Sequence, residues 1–287
     1  RNRVCVMSMD DKQMASQQGE MEWHNRIQTA LQDNRFFLEC QIIAPPTGRG
    51  KGLRYEVLIR MRSQDGSVVP PSAFLPPAER YGMASRIDRW VIENVLEKLS
   101  AAPEHLGALE ACHINLSGRS FDQTDFADFV VGRFHHYGVP ANKICFEITE
   151  TAAVHNLLEV QAFMKRLSDM GCSFALDDFG SGLSSFGYLR RLPVTCLKID
   201  GMFVRDIVTS KTDLAMVRAI HDIGRTMDMI TVAEYVESED AASLLKEIGV
   251  DLLQGFWIHR PSSLDDILGT EPSRLSEKVT HLKLHTR

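Results

Sequence analysis

The chain has 287 residues, 44% hydrophobic and 24% charged, enough for one large α/β barrel or two smaller domains. A formal charge of −6 argues against a broad cationic surface for polymeric nucleic acid, so a small polyanionic ligand would need local Arg and Lys or a metal ion. No apolar run reaches the roughly 18 residues of a membrane span, and no signal peptide is visible. Six cysteines without a C-x-x-C pair suit buried thiols in a reducing cytoplasm, not a zinc site or a disulfide scaffold.

In chain order, the predicted strands are 36–44 (FFLECQIIA), 55–61 (YEVLIRM), 111–116 (ACHINL), 143–149 (KICFEIT), 173–178 (SFALDD), 196–200 (CLKID), 229–234 (MITVAE) and 252–257 (LLQGFW). Amphipathic helices lie between most of them, most clearly at 86–99 and 156–171. In the second helix Leu157, Val160, Met164 and Leu167 share a face, and Gly171 is placed as a C-terminal cap. Strands alternating with helices favour a parallel barrel. An open doubly wound sheet lacks support, because no glycine-rich phosphate turn follows the first strand. The connection 45–54 is too short for a parallel crossover. The predicted fold is therefore a modified TIM (β/α)8 barrel with an antiparallel first strand.

The strand ends carry a concentrated polar set: Glu56, Asn115, Glu147 and Glu150, Asp177 and Asp178, Lys198 and Asp200, Glu234, and Gln254. Singly, each reads as a helix cap or solvated loop residue, and Asp177-Asp178 as the start of a turn. Together, so many carboxylates at one barrel mouth would repel one another. Hard divalent cations offset that repulsion, and oxygen-only ligation suits Mg²⁺ or Mn²⁺. Adjacent aspartates allow one to bridge two ions about 3.5–4 Å apart, the usual arrangement for in-line attack on a phosphodiester. Lys198 could orient the nucleophile or neutralise developing charge. Asp178-Phe179-Gly180 also matches the Mg²⁺-holding triplet of protein kinases, but no H-R-D segment precedes it and TGRGKG (47–52) lacks the rest of the motif set.

The motifs EVLIR (56–60), INLSG with Asn115, FEITE with Glu147 and Glu150, DDFGSG, the run ending in LKID, TVAEYVE and LLQGFWIHRP occur in one order. In that combination, over about residues 23–270, the chain resembles the EAL-domain phosphodiesterases, which hydrolyse cyclic di-GMP to linear pGpG. The resemblance implies that Glu56, Asn115, Glu147 and Asp177 hold one Mg²⁺ or Mn²⁺, that Asp177 and Asp178 hold a second, and that Ca²⁺ inhibits. It implies that Glu234 and Lys198 position or activate the attacking water. Gln41, Leu58, Arg60, Asp200 and Gln254 would meet the dinucleotide, and Glu150 would steady the loop after Asp178. A homodimer is implied as well. The chain departs from the family pattern at Tyr235 (usually Gly), Ser181 (usually Thr) and Ile42 (usually Pro). A catalytically silent EAL module that acts as a cyclic di-GMP receptor is the alternative, though every ligand position is filled.

RNRVCV at the start resembles the closing strand of a GGDEF domain. The expected division is thus 1–22 as the end of such a domain with a connecting helix, 23–271 as the EAL domain and 272–287 as a tail.

Overall fold

The computed structural model describes residues 22–48, 52–182, 187–271 and 275. The suggested GGDEF remnant up to residue 21 and all of the tail but Leu275 lie outside these residues. A helix, α1, covers 22–32. It leads into β1 (Phe36–Ile42), which pairs antiparallel with β2 (Leu53–Arg62). The short connection forces that direction, because it cannot carry the chain back to the start of a parallel neighbour. The register sets Gln41 opposite Glu56 and Glu39 opposite Leu58.

A two-residue strand β3 (Val68–Val69) follows, then α2 (Pro71–Arg80), α3 (Ala84–Ser100) and α4 (Pro103–Ala108). The parallel part alternates strongly: β4 (Leu109–Leu116), α5 (Phe126–Tyr137), β5 (Ile144–Thr149), α6 (Glu150–His155), α7 (Leu157–Ser168) and β6 (Ser173–Phe179). It continues through β7 (Cys196–Ile199), α8 (Gly201–Val204), α9 (Lys211–Thr226), β8 (Ile230–Ala233), α10 (Glu239–Ile248) and β9 (Leu252–Leu253). Finally β10 (Ser262–Ser263) pairs with β1, and α11 (Leu264–Leu268) follows. The strand order is β10-β1-β2-β4-β5-β6-β7-β8-β9. An antiparallel bridge between Ala44 and Leu253 joins the two ends and closes the barrel. This is the modified TIM barrel with a reversed first strand that the sequence predicts.

Side chains alternate between the two faces of each strand. Outward residues such as Phe146 and Phe174 pack on Phe163 of α7, with ring centroids 6.1 Å apart in each pair. Below the polar residues, Ala111, Cys145, Ala175, Cys196 and Val232 from the parallel strands and Ile43, just past the end of the reversed β1, form a separate buried cluster. This apolar floor lies beneath the polar mouth. Cys40, Cys112, Cys145, Cys172 and Cys196 are free and buried, so those five do behave as small core residues.

Several element ends differ from the predictions. The last strand stops at Leu253, not 257, because the chain turns at Gly255 (φ 156°). A Cβ there would fall 2.3 Å from the Val236 backbone. The sixth predicted strand ends at Ile199, and Asp200 caps α8 by accepting from Met202 N at 2.8 Å. The predicted helix 156–171 ends at Ser168 with Asp169 as its cap, and Gly171 (φ 108°) turns the chain toward β6. Strands β3 and β10 are too short to leave a periodic signal.

The loop after β4 is tied to α3 through buried Asp88, whose Oδ2 accepts from Ser117 N at 2.8 Å and Ser120 Oγ at 2.5 Å. Burial outweighs these bonds and pushes the carboxyl from its ordinary value of 3.8 up to about 7. A raised acid pKa stabilises the fold most at pH below the unfolded value, and this contribution is lost as pH rises through the folded one. Melting curves of wild type and Asp88→Asn should therefore diverge between pH 4 and 7, the wild type losing stability relative to the variant. Parallel curves would show that Asp88 does not titrate in this window.

Candidate active site

Six strands, β1, β2, β4, β5, β6 and β7, and the turns after β8 and β9 deliver the polar residues to one mouth. At its centre is Lys198 on β7, fully buried, with Nζ 2.7 Å from Glu147, 2.8 Å from Glu234, 3.1 Å from Asp177 and 3.2 Å from Glu56. Glu56 also accepts from Asn115 Nδ2 at 2.6 Å and Gln254 Nε2 at 2.6 Å. Gln254 Nε2 lies 3.2 Å from Gln41 Oε1, and Gln41 donates to His259 O at 2.8 Å. Gln41, Glu56, Asn115, Glu147, Asp177, Lys198, Glu234 and Gln254 thus form one continuous group.

The two aspartates reach this group through a break in the strand. Consecutive strand residues normally point to opposite faces. Asp178 takes φ 52°, and the β6–β7 register shifts between Leu176 and Phe179. Both carboxylates can then face the mouth. Ligand oxygens of Asp177, Asp178 and Glu234 lie within 4.8 Å of one another. Glu150, at the start of α6, braces the following turn: it accepts from Gly180 N at 3.0 Å and from Tyr188 OH at 2.8 Å.

Electrostatics sort the carboxyls by environment. Burial, with repulsion from Glu56, pushes Glu147 well above the usual carboxylate range despite Lys198. Burial and Asp177 push Glu234 up in the same way, and burial, Asp177 and Asp200 raise Asp178 to about 6. For Glu56 burial is outweighed by Lys198 and by the bonds from Gln254 and Asn115, so its carboxyl lies below the usual range. Burial would lower the Lys198 ammonium, but the four carboxylates hold it well above its ordinary value. The donors are all oxygens, and Asp177 Oδ1 is buried without a hydrogen bond despite its proximity to Lys198. This set fits a hard divalent cation.

The mouth opens into a cavity of about 460 Å³ lined by Gln41, Leu58, Arg60, Asp178, Tyr235 and Phe256 among others. The remaining expected contacts differ in setting. Arg60 Nε pairs with Glu39 at 2.9 Å, so its charge is partly compensated. Asp200 does not line this cavity; its side chain caps α8. Tyr235, in place of the usual Gly, itself adopts φ 53°, in the left-handed region that favours glycine.

One buried chain of residues escaped the sequence reading. Arg54 Nη1 donates to His113 Nε2 at 3.1 Å, so His113 Nδ1 carries the hydrogen that Glu147 Oε1 accepts at 2.7 Å. Arg54 in turn pairs with Glu110 at 3.1 Å. Period-two alternation was the available signal: Arg54 and His113 stand two residues before Glu56 and Asn115 on the same faces.

An α/β barrel with an acidic mouth is the class these features define. A family model described as EAL domain matches residues 24–261, and the chain belongs to that family. It is 35% identical to Cyclic di-GMP phosphodiesterase PdeB of Shewanella oneidensis over 97% of this chain and 32% of that protein. It is 38% identical to Cyclic di-GMP phosphodiesterase PdeF of Escherichia coli over 88% of this chain and 33% of that protein. The chain therefore spans about a third of the length of these curated relatives. Among solved structures, a PaMucR phosphodiesterase in complex with c-di-GMP is 30% identical with a TM-score of 0.79, covering 86% of this chain and 99% of that one. The FimX EAL domain from Pseudomonas aeruginosa bound to c-di-GMP is 27% identical with a TM-score of 0.77, covering 84% and 96%. Among the described residues, no helix is long and apolar enough to cross a membrane.

Removing the central cation leaves buried carboxylates uncompensated, a loss of about 3–5 kcal/mol for a broken buried pair. Lys198→Met should therefore unfold at markedly lower urea concentration than wild type at pH 8 in EDTA. Equal midpoints would show that the carboxylates do not depend on the ammonium.

Proposed function

We propose that this chain is a metal-dependent phosphodiesterase that hydrolyses cyclic di-GMP to linear 5′-pGpG. The observation that carries the reading is the convergence of Asp177, Asp178 and Glu234 within 4.8 Å beside a cavity of about 460 Å³, with Asp177 Oδ1 buried, paired with Lys198 Nζ at 3.1 Å and accepting no hydrogen bond. Glu56, Asn115, Glu147 and Asp177 would hold one Mg²⁺ or Mn²⁺, and Asp177 with Asp178 a second. When bound, such a pair supplies Lewis acidity for in-line displacement at phosphorus.

The chain's own groups do the rest. Glu234, with its carboxyl shifted upward by burial, accepts a proton from the attacking water. The water oxygen bonds to phosphorus, the bond from phosphorus to the 3′-oxygen breaks, that oxygen takes a proton from solvent water, and Glu234 returns the proton it gained to solvent. Lys198 holds Glu234 and Asp177 in place and offsets charge that builds on the phosphoryl oxygens. Arg60, Leu58, Gln41 and Gln254 line the approach. A preceding GGDEF domain in a longer parent protein, and assembly as a homodimer, belong to the same proposal. They are supported by the RNRVCV segment and by family membership respectively.

The test is chromatography of nucleotides after incubating the purified chain with cyclic di-GMP and Mg²⁺ or Mn²⁺. Wild type should yield pGpG. Glu56→Ala and Asp177→Ala, each lacking a ligand, should fall by roughly a hundredfold or more, on the scale of losing several kcal/mol of transition-state stabilisation. Ca²⁺, larger and looser in geometry, should not replace Mg²⁺. Nucleotide that is bound but never cleaved would instead make this chain a receptor.

A further inference from the structure

We infer that Tyr235 is a stacking platform for one guanine of cyclic di-GMP, an inference that rests on the function proposed above. Tyr235 stands at φ 53°, a backbone conformation that costs most residues other than glycine some stability and that collects at functional sites. Its ring is seated on α8. Gly201 and Arg205 are one helical turn apart, Arg205 N donating to Gly201 O at 3.0 Å, so both present the same side of the helix. A Cβ on Gly201 would fall 2.1 Å from Tyr235 Cδ2, and the Arg205 guanidinium carbon lies 4.4 Å from the ring centroid. One side of the ring is therefore covered.

Tyr235 is nevertheless 50% exposed and lines the cavity that holds Glu56, Asp177, Asp178 and Glu234. A large exposed aromatic beside a carboxylate cluster has little reason to face water, whereas it suits the flat surface of a base. The same wall carries Phe256, 49% exposed, with the Arg260 guanidinium carbon 4.6 Å from its centroid. A cyclic dinucleotide has two bases, and this wall offers two rings, each with an arginine at one face. The Tyr235 ring also adjoins Glu234 in sequence, so a base held there leaves its phosphodiester within the acidic mouth.

The experiment compares wild type, Tyr235→Phe and Tyr235→Gly in steady-state hydrolysis of cyclic di-GMP. It also uses the fluorescence of an analogue with 2-aminopurine replacing one guanine. Glycine is at ease at this φ, so Tyr235→Gly should fold, which thermal melting checks. Tyr235→Phe should keep KM within about twofold and quench the analogue as wild type does, because stacking needs only the ring. Tyr235→Gly should raise KM roughly tenfold with a smaller change in kcat, and should quench less, in line with the worth of one base–aromatic stack. Unchanged KM and quenching in Tyr235→Gly would overturn the assignment. So would a fall in kcat at constant KM, which would mean that Tyr235 only positions Glu234. A wild type that neither binds nor cleaves cyclic di-GMP would refute the proposed function itself, and this inference with it.

Discussion

The site depends on one buried ammonium. Lys198 lies within 3.2 Å of four carboxylates supplied by β2, β5, β6 and the turn after β8. Burying an ion costs several kcal/mol, which is offset only when opposite charge and hydrogen bonds are close. Here opposite charge is in excess. Burial, joined by repulsion among these acids, pushes the carboxyls of Glu147 and Glu234 upward, while the four carboxylates hold the Lys198 ammonium well above its ordinary value. A mouth arranged this way remains short of positive charge, and that shortage is the physical basis for attracting a divalent cation. The floor beneath it is built of Ile, Ala, Cys and Val side chains, so the polar layer sits above an apolar one inside the same barrel.

The polar layer is anchored from the opposite side by alternating charge. Glu110 at the surface holds Arg54, Arg54 sets the ring hydrogen of His113, and His113 orients Glu147. Glu147 is thereby fixed at both oxygens, one by His113 and one by Lys198. Support of this kind limits how far a ligand group can rotate, which is what outer partners do for metal sites generally. The strained positions serve a related purpose. Asp178 breaks strand alternation so that two adjacent aspartates share a mouth, and the bonds to Glu150 hold the turn that follows.

Much of this was legible in the sequence because the polar residues stand at the ends of short apolar runs that alternate with helices. Strand-end position and the ordered motifs pointed to the residues of the mouth, and the short 45–54 connection showed that β1 must be reversed. What remained hidden had identifiable causes. Arg54 and His113 have the same alternation as Glu56 and Asn115, but single basic residues inside apolar runs carry no chemistry until their partners are known. The early stop of β9 depends on a Gly255–Val236 approach between segments that local pattern does not connect. That Asp200 turns to cap α8 is a competition between two local roles, which strand-end position alone does not decide.

The reversed first strand has the widest consequence for the mouth. Antiparallel pairing sets Gln41 directly against Glu56, and the Ala44–Leu253 bridge brings Gln254 beside both. With Asn115 from β4, two amide donors then bond to Glu56 in addition to Lys198. That is why the Glu56 carboxyl lies below the usual carboxylate range while that of the equally buried Glu147 lies well above it. A regular parallel barrel would put a different strand end against β2 and lose the Gln41 pairing. The topology thus decides which buried carboxylate gathers the most hydrogen-bond donors, and with them the one acid of this group drawn below the usual range.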